Sequence, residues 1–429
     1  MKTRSMFQKT LLATALVGLA SCGGQNKPDP TPWEEQAKSE LTRNTSPTVP
    51  AAEAQALIDG NTAFAANLFK TTAKAENAMV SPHSVSLALA MTWAGAKGET
   101  ETAIAKAMRF DLSQDKFHPA FDALDLALAS RGQNAQGKDG KPFRLKISNA
   151  AWGEQTFDFV PAYLDTLAVN YGAGINLVDF VSQPEDARLT INDWVAQQTE
   201  DRIKDLLSPG SVDGSTRLVL TNAVYFNAAW KTKFEANATH PAAFHKADGS
   251  AVDVDTMYGD IGGKYGETAD FVAAELPYDG DEIAMTLVMP KAGTLADYEA
   301  GLDGEKLKAI VAALRSETLL INLPKFGFEW KTSLAQALSG MGMGIAFTDA
   351  ADFSGIHAGG GLLISDVIHQ TFVKVDEAGT EAAAATAVVV GTTSMPVGQS
   401  VTFDRPFLFL IRDVQTGAVL FVGHVYDPK

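Results

Sequence analysis

The 429-residue chain carries 35 Lys and Arg against 51 Asp and Glu, a formal charge of −16, with 46% hydrophobic and 20% charged residues. That composition belongs to a globular chain with a large core, and without basic runs it is a poor match to nucleic acid or heparin. A single cysteine excludes an intrachain disulfide framework and a zinc site of several thiolates, the seven histidines show no metal-ligand spacing, and no cofactor is expected.

Lys2, Arg4 and Lys9 precede an apolar run from Leu11 to Gly18, the charged-then-apolar order of a secretory signal, so 1–21 reads as a signal peptide. The run ends in Leu19-Ala20-Ser21-Cys22, and Cys22 is the sole cysteine. This pattern resembles a bacterial lipobox, in which a small-residue site is cleaved and the cysteine is acylated. The resemblance implies a protein anchored through Cys22 to a bacterial cell envelope, facing the periplasm or the extracellular space. Its only contact with the membrane would be the lipid. Residues 22–50 hold Pro28, Pro30, Pro32, Pro47 and Pro50 with little apolar mass, and read as a flexible tether. From 51 to 429 there is no second linker and no repeat. Interleaved helical and strand patterns predict one mixed α/β domain.

Within that domain, Ser81-Pro82 reads as a helix start, with Ser81 as N-cap and Pro82 at the first helical position. The helix from His83 to about Ala96 is apolar nearly all round, which predicts burial. From Ile191 to Leu207, Ile191, Trp194, Val195 and Gln198 recur at helical spacing. Asp193, Gln197, Glu200 and Asp201 give a wet face, which predicts a surface helix. Leu218 to Phe226 reads as a strand buried on both faces. Val367 to Asp376 reads as another, with His369 on the core side beside Val367, Thr371, Val373 and Val375. Phe407–Ile411 and Ala418–Val422 flank a turn and predict a buried hairpin.

The stretch from Glu377 to Thr402 fits no ordinary element. It is uncharged from Ala382 to Phe403, and too long for a connection in a compact domain unless it is functional. Four alanines favour helix and three valines favour strand, while Gly391 and Pro396 break either. It has the composition of a strand awaiting a sheet edge, a hazard if it has no use.

At these residues a family resemblance appears. Asn77 to Met91 resembles the buried second helix of the serpins, and Leu220 to Trp230 resembles a central strand of their main sheet. Asp376 to Ala384 resembles the hinge of their reactive-centre loop, and Val401 to Ile411 resembles their C-terminal signature. The similarity runs from about Ala56 to Pro428. It implies an α/β mixed fold of about nine helices around three β-sheets, with a large central sheet and an exposed reactive-centre loop over about 377–402. It also implies a monomeric suicide-substrate inhibitor of serine endopeptidases, extending to cysteine endopeptidases, rather than an enzyme. The partner protease would cut the loop and be trapped as its acyl-enzyme when the loop enters the sheet. A non-inhibitory serpin-like binding or chaperone protein of the envelope is the alternative.

The same resemblance assigns residues. The loop hinge comprises Glu377, Gly379, Thr380, Glu381, Ala382, Ala383, Ala384 and Ala385. A strand entering a sheet needs small uncharged residues at alternate positions, and Thr380, Ala382, Ala384, Thr386, Val388 and Val390 comply, with Glu381 expected on the hydrated face. Roughly fourteen new backbone hydrogen bonds at about 0.5–1.5 kcal/mol each come to on the order of 10 kcal/mol, comparable to the stability of a whole domain. Counting Glu377 as the first hinge residue, family spacing places the reactive bond at Thr393–Ser394. The stretch from there to Phe403 is longer than in familiar members, which keeps Val390, Thr392 and Ser394 open as acyl-side residues. A small β-branched residue there suits elastase-like or subtilisin-like proteases. Ser81, Ser84, Asn222 and His369 map to the shutter beneath the sheet and Trp230 to its breach. The competing reading, a Ser-His hydrolase centred on His369, lacks a G-x-S-x-G elbow.

Overall fold

The computed structural model describes residues 35–381 and 398–429. In chain order they form β1 (Gln36–Ala37), α1 (Ala51–Thr72), β2 (Ala78–Val80), α2 (Pro82–Trp93), α3 (Gly98–Met108) and α4 (Gln114–Ala129). Then follow β3 (Arg144–Glu154), α5 (Pro161–Tyr171), β4 (Ile175–Val178), α6 (Pro184–Gln198) and β5 (Leu218–Ala229). Next come β6 (His240–His245), β7 (Ala251–Glu267), β8 (Phe271–Pro277), β9 (Ile283–Pro290), α7 (Leu295–Ala300), α8 (Gly304–Ala313), β10 (Arg315–Pro324), β11 (Phe326–Ser333) and α9 (Ala335–Leu338). The last are β12 (Val367–Asp376), β13 (Gly379–Thr380), β14 (Gln399–Thr402), β15 (Phe407–Asp413) and β16 (Val419–Val425).

The central sheet has seven strands in the order β1-β4-β3-β5-β13-β12-β11. The second sheet runs β14-β10-β7-β8-β9-β15-β16-β2, with β6 on β7. The expected third sheet is the set β6, β7, β10 and β14. It stays continuous with the rest because the 17-residue β7 pairs with β6 and β10 and then with β8. α2 has no polar face and every residue from Pro82 to Trp93 is buried, so it lies inside, against β3, β5 and β16. Ser81 does precede this helix, but not as a hydroxyl cap: its Oγ donates to the Leu420 carbonyl at 2.8 Å, tying the helix start to β16.

Two further sequence expectations need correction. The helix predicted over Ile191–Leu207 is α6, Pro184–Gln198, and the chain then folds back. Glu200 and Asp201 take left-handed φ angles of 51° and 62°, and the Asn192 amide holds both the N–H and the carbonyl of Leu207. Ile203, Leu206 and Leu207 are buried by this fold-back. Their apolar spacing imitates a helical stripe because a turn that returns to the core also needs apolar residues at intervals.

The tether predicted over 22–50 is not free where it is described. Gln36 and Ala37 form an edge strand on β4, and Leu177 N–H donates to the Glu35 carbonyl at 2.9 Å. Arg43 reaches both Asp122 and Asp125 on α4, at 2.7 and 2.6 Å. Backbone hydrogen bonds and the two ion pairs of Arg43 hold a segment that has almost no apolar mass to bury, so hydropathy gave no sign of it. The Asp122 carboxylate is fully buried, and removing Arg43 strands it. Arg43→Ala should therefore lower unfolding stability by about 2 kcal/mol, below the range for a wholly buried pair because Arg43 is partly exposed. Thermal denaturation measures it, and Arg43→Lys should recover part of the loss.

Candidate functional site

The site is the seam between β5 and β12. These strands run parallel and pair directly only where Val367–Thr371 meet Leu220–Val224. Above that point β13 separates them. Gly379 and Thr380 pair antiparallel with Ala229 and Ala228 on one side, and with Asp376 and Val375 on the other. The first residue of the predicted inserting face, Thr380, thus already occupies a strand position. Gly379 is at φ +150°, and a Cβ there would stand 2.1 Å from the Ala228 carbonyl oxygen, so only glycine fits the entry.

The breach residue Trp230 lies over this entry. Its indole Nε1–H donates to the Asp376 carbonyl at 2.9 Å and its backbone N–H to the Ala378 carbonyl at 3.0 Å. The ring stacks on Tyr278 at 4.6 Å between centroids, nearly parallel, and the Tyr278 hydroxyl bonds Thr380 Oγ1 at 2.6 Å. Trp230 is 2% exposed, so it is both a core residue and the group that grips the hinge backbone. Glu377 accepts from Thr239 Oγ1 and Lys325 Nζ, at 2.8 and 3.2 Å.

Ser81, Ser84, Asn222 and His369 do come together, fully or almost fully buried. His369 Nδ1 lies 2.5 Å from Asn222 Oδ1, and its Nε2 accepts the Ser81 backbone N–H at 3.0 Å. This pattern assigns the neutral Nδ1–H tautomer, and burial pushes the imidazole down to about 3. The Asn222 amide donates to Ser84 Oγ at 2.5 Å and to Asn149 Oδ1 at 2.7 Å. Asn149, on β3, completes the cluster by donating to the Ser84 carbonyl, and sequence reasoning missed it. Only the pairing of Asn149 with Asn222 across β3 and β5 could have found it. Among the described residues no serine hydroxyl bonds His369, so these groups present no activated nucleophile. The His369–Asn222 bond instead crosses the seam, and a strand entering between β5 and β12 must break it.

One expectation is overturned at Glu381. It was expected on the hydrated face, yet it is 1% exposed. Its carboxylate pairs with Arg202 from the fold-back after α6 and accepts from Asn227 Nδ2 at 3.2 Å. Alternation does put it on the face opposite Thr380, but α6 and its fold-back cover that face. Glu381 also has φ 71°, which ends the strand after two residues. Ala382, Ala383, Ala384, Ala385, the expected reactive bond Thr393–Ser394 and the lipidation candidate Cys22 lie outside the described residues.

The comparisons agree with this geometry. A family model described as Serpin (serine protease inhibitor) matches residues 59–428. An uncharacterized serpin-like protein of Thermococcus kodakarensis is 35% identical, covering 98% of both chains. The human leukocyte elastase inhibitor is 36% identical over 87% of this chain and 99% of its own. The crystal structure of a thermophilic serpin, tengpin, in the native state superposes with a TM-score of 0.80 at 28% identity, covering 91% of this chain and 97% of that one. The chain belongs to the serpin family, and its relatives include protease inhibitors.

Three buried imidazoles make the fold acid-sensitive. Burial lowers His83 and His118 to about 4 and His369 to about 3, while the unfolded chain titrates near 6.5. Between those values the unfolded chain binds more protons, so stability falls as pH drops from 6.5 towards 4. Each histidine contributes up to ~1.4 kcal/mol per pH unit. Denaturant unfolding against pH should show this slope, and His369→Asn should make it shallower.

Proposed function

We propose that the protein is a suicide-substrate inhibitor of serine endopeptidases with elastase-like or subtilisin-like preference, and that its chemistry extends to cysteine endopeptidases. The protease nucleophile attacks a loop carbonyl, the peptide bond breaks and the amine side departs. The loop upstream of the cut stays esterified to the enzyme. The freed strand then enters the seam below Thr380, carrying the acyl-enzyme with it, and deacylation stalls. Catalytic groups come from the partner; this chain supplies the substrate and the sheet.

The observation that supports this reading best is β13. Its two residues are antiparallel to both β5 and β12, the only orientation in which a strand entering from the end of β12 can continue between them. Continued entry replaces the direct β5–β12 pairs with two ladders, a net gain of backbone hydrogen bonds. The unentered state is then held by barriers, at the His369–Asn222 bond and at the left-handed turn of Glu381.

Incubation with pancreatic elastase or subtilisin should give an adduct that survives boiling in detergent, and the nicked form should melt far above the intact one. Thr380→Arg forces a charge into the buried position beside Tyr278, and should turn the inhibitor into a substrate, giving cleaved chain and active protease. Cleavage without adduct or stabilisation in the unmodified protein would favour a non-inhibitory role.

The reading includes the anchor: the lipobox-like run to Cys22 would hold the inhibitor at a bacterial envelope, facing the periplasm or the exterior. Metabolic labelling with palmitate should mark the protein, and Cys22→Ser should abolish the label and release the protein from membranes.

A further inference from the structure

The connection between α4 and β3, residues 131–143, packs against the end of the seam where the hinge enters. Gly132 N–H donates to Glu282 at 2.8 Å, Gln136 N–H to Asp279 at 2.8 Å, and the Gln136 carbonyl accepts from Ala229 N–H at 3.0 Å. Lys138 N–H donates to Asn227 Oδ1 at 2.8 Å, and the same amide group passes a hydrogen bond on to Glu381. These contacts fix the connection to β5 and to the hairpin that holds Tyr278.

Lys138 stands out on this connection. It is 3% exposed, in a residue type almost never buried unless paired, and its Nζ lies 2.5 Å from the Asp376 carboxylate at the start of the hinge. We propose that residues 131–143 form a clasp on the reactive-loop hinge, pinned by the Lys138–Asp376 ion pair, and that discharging Lys138 at alkaline pH frees the hinge from the seam. The inference rests on reading 376–381 as the hinge of an insertable loop.

The groups facing Lys138 determine when it discharges. Asp376 and Glu381 favour the ammonium; Lys374 on β12 opposes it. Burial outweighs the carboxylates and brings Lys138 down to about 8. Glu381 is shared with Arg202, and Asp139 is taken by Arg144, so neither offers Lys138 a second full counter-ion. Tyr225 and Tyr278 are both pushed above the ordinary tyrosine range, chiefly by burial, and stay protonated over the same interval. Below about pH 8 the pin is charged and holds Asp376. Above it the amine is neutral and the attraction is gone, which leaves the hinge to its backbone pairs, to Trp230 and Tyr278, and to the pairs of Glu377 with Lys325 and Glu381 with Arg202. The body is not weakened by this change. A neutral amine suits the buried site better than an ammonium, so stability relative to a Lys138→Met protein rises between about pH 8 and the unfolded value of 10.5.

Trp230 provides the readout, because its indole bonds the Asp376 carbonyl and its backbone the Ala378 carbonyl. Intrinsic emission of the intact protein, titrated from pH 7 to 9.5, should change in one step with a midpoint near 8. The step should vanish in Trp230→Phe and in Lys138→Met, with Lys138→Gln as the substitute if the Met variant fails to fold. In Asp376→Asn the ammonium loses its counter-ion, so the midpoint should move down by about one pH unit or more. A purely structural contact would produce no such move. An unchanged step in the folded Lys138 variant, or an unshifted midpoint in Asp376→Asn, overturns the clasp. No protease is needed, so the outcome is independent of adduct formation. A titrating emission without any adduct would reject the inhibitory reading and keep the clasp, and an adduct without the titration would do the reverse.

Discussion

Everything distinctive in this molecule follows from an incomplete pairing between two parallel strands. β5 and β12 share hydrogen bonds only between Leu220–Val224 and Val367–Thr371, and beyond them lean apart enough to admit one more strand. A strand that enters the gap by a short turn from β12 must run antiparallel to both neighbours. The chain after Asp376 meets that condition by turning at Glu377 and Ala378 and running back as Gly379–Thr380. The central sheet therefore has a gap between β5 and β12, and the chain after β12 already supplies its first two residues.

Groups of different chemistry hold the gap at different heights. At the entry, Trp230 and Tyr278 grip the hinge through two carbonyls and one hydroxyl. One residue further, Glu381 turns the chain out of the sheet with a left-handed backbone and a buried carboxylate neutralised by Arg202. Such a backbone costs a non-glycine residue on the order of 1–3 kcal/mol and persists only where its surroundings enforce it. Lower down, the neutral His369 ring links β12 to β5 through Asn222, with Ser81, Ser84 and Asn149 using the remaining donors and acceptors. A fully satisfied buried network is rigid, and a network that must break in one place to admit a strand acts as a barrier. On the inhibitory reading the strength of that barrier matters, because a strand entering there would gain hydrogen bonds.

Much of the fold was legible in the sequence because burial leaves a periodic mark. The all-apolar α2, the fully buried β5, the core-side His369 in β12 and the C-terminal hairpin could all be read from the spacing of side chains. Of the expected hinge, Gly379 and Thr380 do sit in strand positions between β5 and β12. The fold-back after α6 was misread because its apolar residues serve a turn. The segment from Glu35 to Arg43 was misread because backbone pairing and the ion pairs of Arg43 hold it, and neither alters hydropathy.

The sequence by itself determined which segments are buried, since that property belongs to the chain's own pattern of size and polarity. Only the tertiary structure decided where charges sit. Glu381 is buried because α6 and its fold-back cover one face of the sheet, Lys138 because a distant connection packs against Asp376, and Asn149 joins the shutter because β3 lies beside β5. Each depends on a partner more than fifty residues away, and a linear pattern carries no record of which distant residue will supply the opposite charge or the missing hydrogen bond.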